Sequence, residues 1–195
     1  EFCLNEVGGF HIVNNPNLES LDGLEGLHTV FGDLVIHGND SLTSVRSLWF
    51  LTRVMGSLEI VDNDELRSLR GLEFVTRLGG DLIIADNANL ETTDSFVSLV
   101  TINGSLVIDN NDRLMDLLGF SDLFYAAGHL IVNGNGQLQQ LGFESISSIG
   151  GLLIVSANPN LPCCEAHALW NHMGGGEFLS EYVIEGNDPE GVCDN

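Results

Sequence analysis

The chain has 195 residues, 44% of them hydrophobic, so it is long enough and apolar enough to bury a sizeable core. Six lysine and arginine residues stand against 28 aspartate and glutamate residues, giving a formal net charge of −22. This balance argues against binding to nucleic acid or to an anionic membrane surface, since both require a basic protein surface. No apolar run approaches the roughly 18 residues of a membrane-spanning helix.

A 24-residue repeat begins near the N-terminus and continues along most of the chain. Glycine recurs at this interval from Gly8 to Gly128, and an asparagine ladder is predicted at Asn15, Asn39, Asn63, Asn87, Asn111 and Asn135. One residue is lost near Phe143, a seventh copy begins at Gly151, and an eighth strand-like piece, EYVIEGND, ends the series. Self-similarity at a fixed period predicts a solenoid.

Each copy reads G-x-L-x-I-x-x-N-x-x-L, followed by an apolar residue at every third position. The alternating L-x-I part has the period of a strand, whereas the spacing of three favours short strands, turns and 3₁₀ segments over one long helix. The asparagine is expected to bond the backbone of its own turn and of the next coil. The glycine is expected to permit a tight turn into the strand.

The units GGFHIVNNPNLESLDGLEGLHTV and MGSLEIVDNDELRSLRGLEFVTRL resemble the receptor L domain. This is the leucine-rich module of insulin-receptor and epidermal-growth-factor-receptor ectodomains, with similar units in fungal cell-wall and bacterial surface proteins. The resemblance covers residues 8 to about 161 and implies a mainly β, right-handed β-solenoid of about seven coils. It also implies an extracellular recognition scaffold without catalysis. The chain lacks the cysteine-rich modules and the kinase of animal receptors, so a receptor role is not carried over.

Residues 1–161 are therefore predicted to form the solenoid, and residues 162–195 a C-terminal cap of the same structural domain. The segment CCEAHALWNH, after Pro162, has the pattern of a short amphipathic helix. Ala166, Leu169, Trp170 and Met173 are expected to face the last coil, because the open end of a solenoid must be covered.

The four cysteines suggest an oxidising compartment. Seven strand steps of about 4.8 Å place Cys3 roughly 34 Å from the other three, too far for a disulfide. The favoured pairing is Cys164 with Cys193, and Cys163 is the competing partner. A zinc site, less favoured because its spacing is not standard, would use Cys163, Cys164, His167 and His172.

Strand residues between the inward leucine and isoleucine are expected to point outward. They form an outward strand column, with the residues His11, Val35, Glu59, Ile83, Val107, Ile131 and Ile154. Most are apolar, which is compatible either with a contact surface for a partner or with the simple preference of β-branched residues for strands.

Aromatic residues provide a second candidate surface. Trp49, Phe50 and Phe74 occupy equivalent positions of neighbouring copies, and Phe124-Tyr125 repeats the theme further along. Exposed aromatic side chains at such positions are frequent interface anchors or sugar-stacking platforms. Burial of Phe50 or Phe74 in the core is the alternative.

Acidic turns form a third stripe, with weak calcium candidates at Asp62, Asp64, Asp86 and Asp112. Asp109 belongs to the same stripe. A solvated acidic edge is the simpler interpretation, because none of these loops matches a known calcium loop. Two glycosylation sequons occur, of which Asn103 is the better candidate because Asn39 belongs to the predicted ladder.

No phosphate loop, nucleophile elbow or zinc-protease motif is present. We therefore predict a non-catalytic, extracellular or cell-surface recognition or adhesion module that binds a protein or glycan, with self-association possible. One alternative is an ice- or surface-binding solenoid, although the outward row lacks repeated threonine and is interrupted by Glu59. A carbohydrate-active enzyme is the second alternative.

Overall fold

The computed structural model describes residues 5–174 and 182–190, which form a β-solenoid of about six turns with one short helix. Within this part of the chain, eight four-residue strands form one long parallel sheet in the order β15-β14-β12-β10-β8-β6-β4-β2. These strands are β2 (Phe10–Val13), β4 (Leu34–His37), β6 (Leu58–Val61), β8 (Leu82–Ala85), β10 (Leu106–Asp109), β12 (Leu130–Asn133), β14 (Leu153–Ser156) and β15 (Tyr182–Glu185).

Seven two-residue strands of the described chain form a second, short parallel sheet in sequence order. They are β1 (Glu6–Val7), β3 (Thr29–Val30), β5 (Arg53–Val54), β7 (Arg77–Leu78), β9 (Thr101–Ile102), β11 (Tyr125–Ala126) and β13 (Ser148–Ile149). Between the sheets the chain turns through 3₁₀ segments in three of the coils, η1 (Arg46–Leu48), η2 (Asp94–Phe96) and η3 (Leu118–Phe120). The sequence expectation of short strands and 3₁₀ segments is confirmed.

The coils stack in register. Leu58 lies beside Leu34 and Leu82, and each residue of a strand has its equivalent of the next copy as its neighbour. The deletion near Phe143 shortens one coil, so Leu130 pairs with Leu153 and the strands remain aligned. Sequence period is thereby converted into straight columns of side chains across the coils.

The core runs along the solenoid axis as a stack of aliphatic columns. Leucine and isoleucine of the long sheet, such as Leu82 and Ile84, are fully buried on its inner face. One column changes from leucine to aromatic residues, where Phe96, Phe120 and Phe143 stack with ring centroids 5.3 and 5.8 Å apart. Nothing in the repeat consensus distinguishes this aromatic stack from the leucine positions that it replaces.

The predicted asparagine ladder is confirmed, and it extends through Asn158 and Asn187. The amide nitrogen Nδ2 of Asn87 donates to the carbonyls of Ile60 and Ala85, each at 2.9 Å. Its oxygen Oδ1 accepts from the backbone N–H of Asn63 at 3.2 Å. Because its Nδ2 also donates to Asn111 Oδ1 at 3.2 Å, Asn87, like the other interior members of the ladder, ties the turn of its own coil to the coils on both sides.

A second ladder, absent from the sequence expectations, links the residues that precede β4, β6, β8, β10 and β12. The backbone N–H of Ser57 donates to the Asp33 carboxylate at 2.7 Å, and that of Asp81 donates to the Ser57 hydroxyl at 3.0 Å. Ser105 and His129 continue the series at the same position of the next copies. Alternating acidic and hydroxyl side chains at this column therefore have a structural role.

The recurring glycine has a different role from the one expected. It does not adopt positive φ in any described copy. At Gly80, an added Cβ would lie 2.5 Å from the Ser57 hydroxyl, 2.8 Å from the Ser57 nitrogen and 3.0 Å from the Gly56 carbonyl carbon. Glycine is needed because the previous coil approaches closely, and not because the turn is left-handed.

Gly80→Ala should therefore lower the free energy of unfolding by about 1–3 kcal/mol, since two of the three close atoms belong to backbone that is hydrogen-bonded in register. Urea denaturation followed by circular dichroism measures the change. Gly8→Ala is the matched control, because nothing lies within 4 Å of a Cβ added there. Equal losses for the two variants would contradict the close-approach explanation.

The C-terminal cap is confirmed as a helix, α1 (Cys163–His172). Ala166, Leu169 and the following Met173 are buried against the core, as predicted. Trp170 is half-buried, packs against the core and contacts Tyr182 of β15 with ring centroids 4.9 Å apart. The helix therefore covers the apolar end of the last coils.

Candidate ligand-binding surface

The outward strand column lies on the long sheet and is called the long-sheet column from here on. It points outward as predicted, but its residues are less exposed than expected. Val35, Glu59, Ile83, Val107 and Ile131 are all half-buried, because in-register neighbours of the adjacent strands cover their flanks. A second outward column runs beside the long-sheet column, and it does not form a continuous apolar surface. It contains Ala85, which is buried, and then the polar residues Asp109 and Asn133, which are hydrogen-bonded to each other at 2.7 Å.

The aromatic residues are the better exposed candidates. Trp49, Phe50 and Phe74 are 43%, 52% and 46% exposed, so the alternative of core burial is wrong for both phenylalanines. Trp49 and Phe74 form an edge-to-face pair with centroids 5.5 Å apart, and Phe50 stacks on the His28 ring at 5.7 Å. We refer to Trp49, Phe50 and Phe74 as the aromatic cluster. Tyr125, also a predicted candidate, is half-buried and lies in the short sheet.

A surface cavity of about 540 Å³ adjoins the aromatic cluster. Its walls come from two neighbouring coils and are both polar and apolar. The lining residues are Ser20, Asp22, Glu25, Ser44, Arg46, Ser47, Trp49 and Phe50. The cavity could receive a single side chain of a partner beside the exposed rings.

Four arginines lie on the two coils that carry the aromatic cluster, a feature absent from the sequence expectations. Arg46 and Arg53 flank Trp49 and Phe50 along one coil, and Arg70 and Arg77 hold the equivalent positions on the next. All four arginines are exposed. The available sequence signal was that five of the six basic residues of the chain fall within residues 46–77.

The acidic edge has a local structural explanation. Asp62 and Asp86 adopt left-handed backbone conformations with φ of 56° and 55°, at the position where the other described copies place asparagine, glycine or, once, alanine. Aspartate, asparagine and glycine tolerate this conformation better than other residues do. Within the described part of the chain, no group of three or more histidine, cysteine, aspartate or glutamate side chains is arranged to hold a metal ion. Asp64 and Asp112 are exposed in the same turns.

The cap cysteines differ from each other. Cys163 is a free thiol, whereas Cys164 has an interaction partner. Cys3 and Cys193 lie outside the described residues, so the Cys164–Cys193 pairing stays a prediction. The Nδ1–H of His167 donates a hydrogen bond to the Cys163 carbonyl at 2.8 Å.

The two sequons have different surroundings. Asn39 is fully buried in the asparagine ladder, and its side chain donates to the Ile12 carbonyl at 2.9 Å. Asn103 is exposed next to β9, as expected for the better glycosylation candidate.

These features define a class of protein, a leucine-rich β-solenoid whose stacked coils present columns of exposed side chains. None of the helices within residues 5–174 and 182–190 is long and apolar enough to cross a membrane. The chain matches the family model of the receptor L domain over residues 51–174, more than half of its length. It therefore belongs to the receptor L domain family. No curated protein and no solved structure gives a significant match.

Receptor L domains are non-enzymatic ligand-binding modules of receptors and are typically extracellular. The resemblance drawn from the repeated units is thus confirmed at the level of family and fold. The family match agrees with the prediction of a binding module over the enzyme alternative. It does not identify a ligand.

Proposed function

We propose that this chain is a recognition or adhesion module of an extracellular or cell-surface protein, and that it binds a macromolecular ligand through the aromatic cluster. The observation that supports this most is the exposure of Trp49, Phe50 and Phe74 together on two adjacent coils. Large aromatic side chains contribute more binding energy than any other apolar residues when a partner covers them.

The cluster is also pre-organised. The edge-to-face contact of Trp49 with Phe74 and the stacking of Phe50 on His28 hold the rings in place before any ligand arrives. Little side-chain entropy is then lost on binding, which raises affinity. The long-sheet column is a weaker candidate, because its apolar residues are half-buried and Glu59 interrupts them.

The test is binding of the purified chain to an array of secreted proteins and glycans, with each positive ligand then titrated by surface plasmon resonance. The variant Trp49→Ala/Phe74→Ala should weaken binding at least about tenfold, as expected for the loss of interface anchors. Light scattering of the chain alone, done first, shows whether a second copy already covers the cluster.

Phe124→Ala is the matched control, because Phe124 is equally exposed but lies two coils beyond Phe74. It should change affinity by less than about twofold. Unchanged affinity in the double variant, with its circular dichroism spectrum intact, would show that the aromatic cluster is not the binding surface.

A further inference from the structure

We propose that Arg46, Arg53, Arg70 and Arg77, here called the arginine patch, bind an acidic segment of a protein partner whose apolar side chains contact the aromatic cluster. This inference rests on the proposed recognition function and specifies the chemistry of the ligand. The composition alone does not predict an anion-binding surface, because the chain has a net charge of −22.

The arginines are stacked on one another in two columns. Val54 of β5 pairs in register with Leu78 of β7, which places Arg53 next to Arg77 at the strand spacing of about 4.8 Å. Gly71 packs against the backbone of Arg46, so Arg70 lies on the coil directly beside Arg46. Like charges side by side are destabilising. The arrangement therefore weakens the free fold and is relieved when an anion binds.

At a third arginine position, the arginine is paired with an acidic residue of the next coil. Arg67 has Glu91 as its neighbour one copy along, and the two side chains form an ion pair at 3.4 Å. Among the described residues, the four arginines of the patch form no ion pair or side-chain hydrogen bond. Their columns end at Asp22, Asp94 and two threonines, Thr29 and Thr101, but no contact neutralises them.

Three of the nearby carboxylates accept hydrogen bonds from groups outside the patch. Glu25 and Glu73 accept hydrogen bonds from the backbone N–H groups of Gly23 and Gly71, at 2.9 and 2.8 Å. Asp22 accepts from the Ser47 hydroxyl at 3.1 Å. These bonds direct Glu25 and Glu73 toward the backbone and Asp22 toward Ser47, and none of the three carboxylates forms an ion pair with the patch. Guanidinium groups bind carboxylates with two parallel hydrogen bonds, which gives both affinity and orientation.

The surroundings favour a peptide over a sulfated glycan. Three exposed rings separate the two arginine columns, and the adjoining cavity of about 540 Å³ is lined by Trp49 and Phe50 as well as Arg46. A segment with separated acidic and apolar side chains matches this alternation. A uniformly charged polyanion would instead meet Glu25 and Glu73 at close range and the negative field of the whole chain beyond.

The test uses fluorescently labelled synthetic peptides titrated by anisotropy. One contains alternating glutamate and phenylalanine, a second replaces each glutamate by glutamine, and a third replaces each phenylalanine by serine. The first should bind at least about tenfold more tightly than either of the others. Its affinity should also fall by about tenfold or more between about 50 and 500 mM NaCl, as exposed charges are screened.

Arg46→Gln/Arg70→Gln should lose at least about tenfold in affinity for the first peptide. Arg67→Gln/Arg113→Gln removes the same formal charge outside the patch. This control should change the affinity for the first peptide by less than about twofold. Equal binding of the glutamate and glutamine peptides, or equal effects of the two double variants, would overturn the inference. Preferential binding of heparin at the patch would also overturn it, in favour of an anionic glycan.

The outcome is separable from that of the proposed function. If the array ligands lose affinity with Trp49→Ala/Phe74→Ala but not with Arg46→Gln/Arg70→Gln, the recognition function stands and the acidic ligand is rejected. If neither double variant alters binding of any array ligand, both proposals fail.

Discussion

Asn87→Leu is expected to lower the free energy of unfolding by about 3–4 kcal/mol. The substitution removes the donor shared by the Ile60 and Ala85 carbonyls and the acceptor of the Asn63 N–H, all within a fully buried turn. A leucine side chain of similar size fills the space but bonds none of them, and each unsatisfied buried group costs about 1–3 kcal/mol. Urea denaturation followed by tryptophan fluorescence and circular dichroism measures the loss.

Asn15→Leu is the control at the N-terminal end of the same ladder. Asn15 is exposed and donates to the Val13 carbonyl at 3.1 Å and to Asn39 at 3.2 Å, so water can replace its bonds. Asn15→Leu should therefore lower the free energy of unfolding by less than about 1 kcal/mol. A similar cost at both positions would mean that burial does not set the contribution of the ladder.

Phe120→Ala should be the most destabilising core substitution, at about 3–5 kcal/mol. Phe120 is fully buried and stacks between Phe96 and Phe143, so its removal leaves a cavity bordered by two rings that the flanking coils hold in place. Because each coil contacts only its neighbours, the cavity should also separate the unfolding of the two ends. Hydrogen exchange along the chain would detect that loss of cooperativity.

Phe124→Ala, in the same coil, supplies the comparison. Its ring is 53% exposed, so truncation should cost less than about 1 kcal/mol and leave exchange rates elsewhere unchanged. Equal losses in the free energy of unfolding for Phe120→Ala and Phe124→Ala would show that the stacked phenylalanine column does not stabilise the solenoid.

Unequal stability along the solenoid bears on where a ligand can bind. The aromatic cluster and the arginine patch lie on the second and third coils, each held between neighbours by both side-chain ladders. A rigid platform there keeps the rings and guanidinium groups at fixed spacing, which lowers the entropic cost of binding. The N-terminal coil, by contrast, has the exposed end of the ladder at Asn15.

The candidate surface was only partly predictable from the sequence. Trp49, Phe50 and Phe74 could be placed at equivalent positions of adjacent copies, but not assigned to the surface or the core. The reason is that the repeat tolerates aromatic residues in both, as Phe96 and Phe120 inside and Phe50 and Phe74 outside demonstrate. Exposure depends on the side of the coil to which the turn between the two sheets directs each residue, and that is set by packing against the neighbouring coils.

By itself, the sequence determined the solenoid, the register of its coils, the asparagine ladder and the capping helix. A 24-residue period leaves few other ways to bury so many regularly spaced leucines, so these features follow from local pattern. Only the tertiary structure decided what each column contacts across coils. The previous coil approaches Gly80 closely, and Asp33 and Ser57 belong to a second ladder. Glu25 and Glu73 bond backbone N–H groups, and four arginines of the described chain are left unpaired. Such pairings depend on distances between residues that lie 24 positions apart in the chain. The repeat makes these residues neighbours, but it does not specify which groups bond to each other.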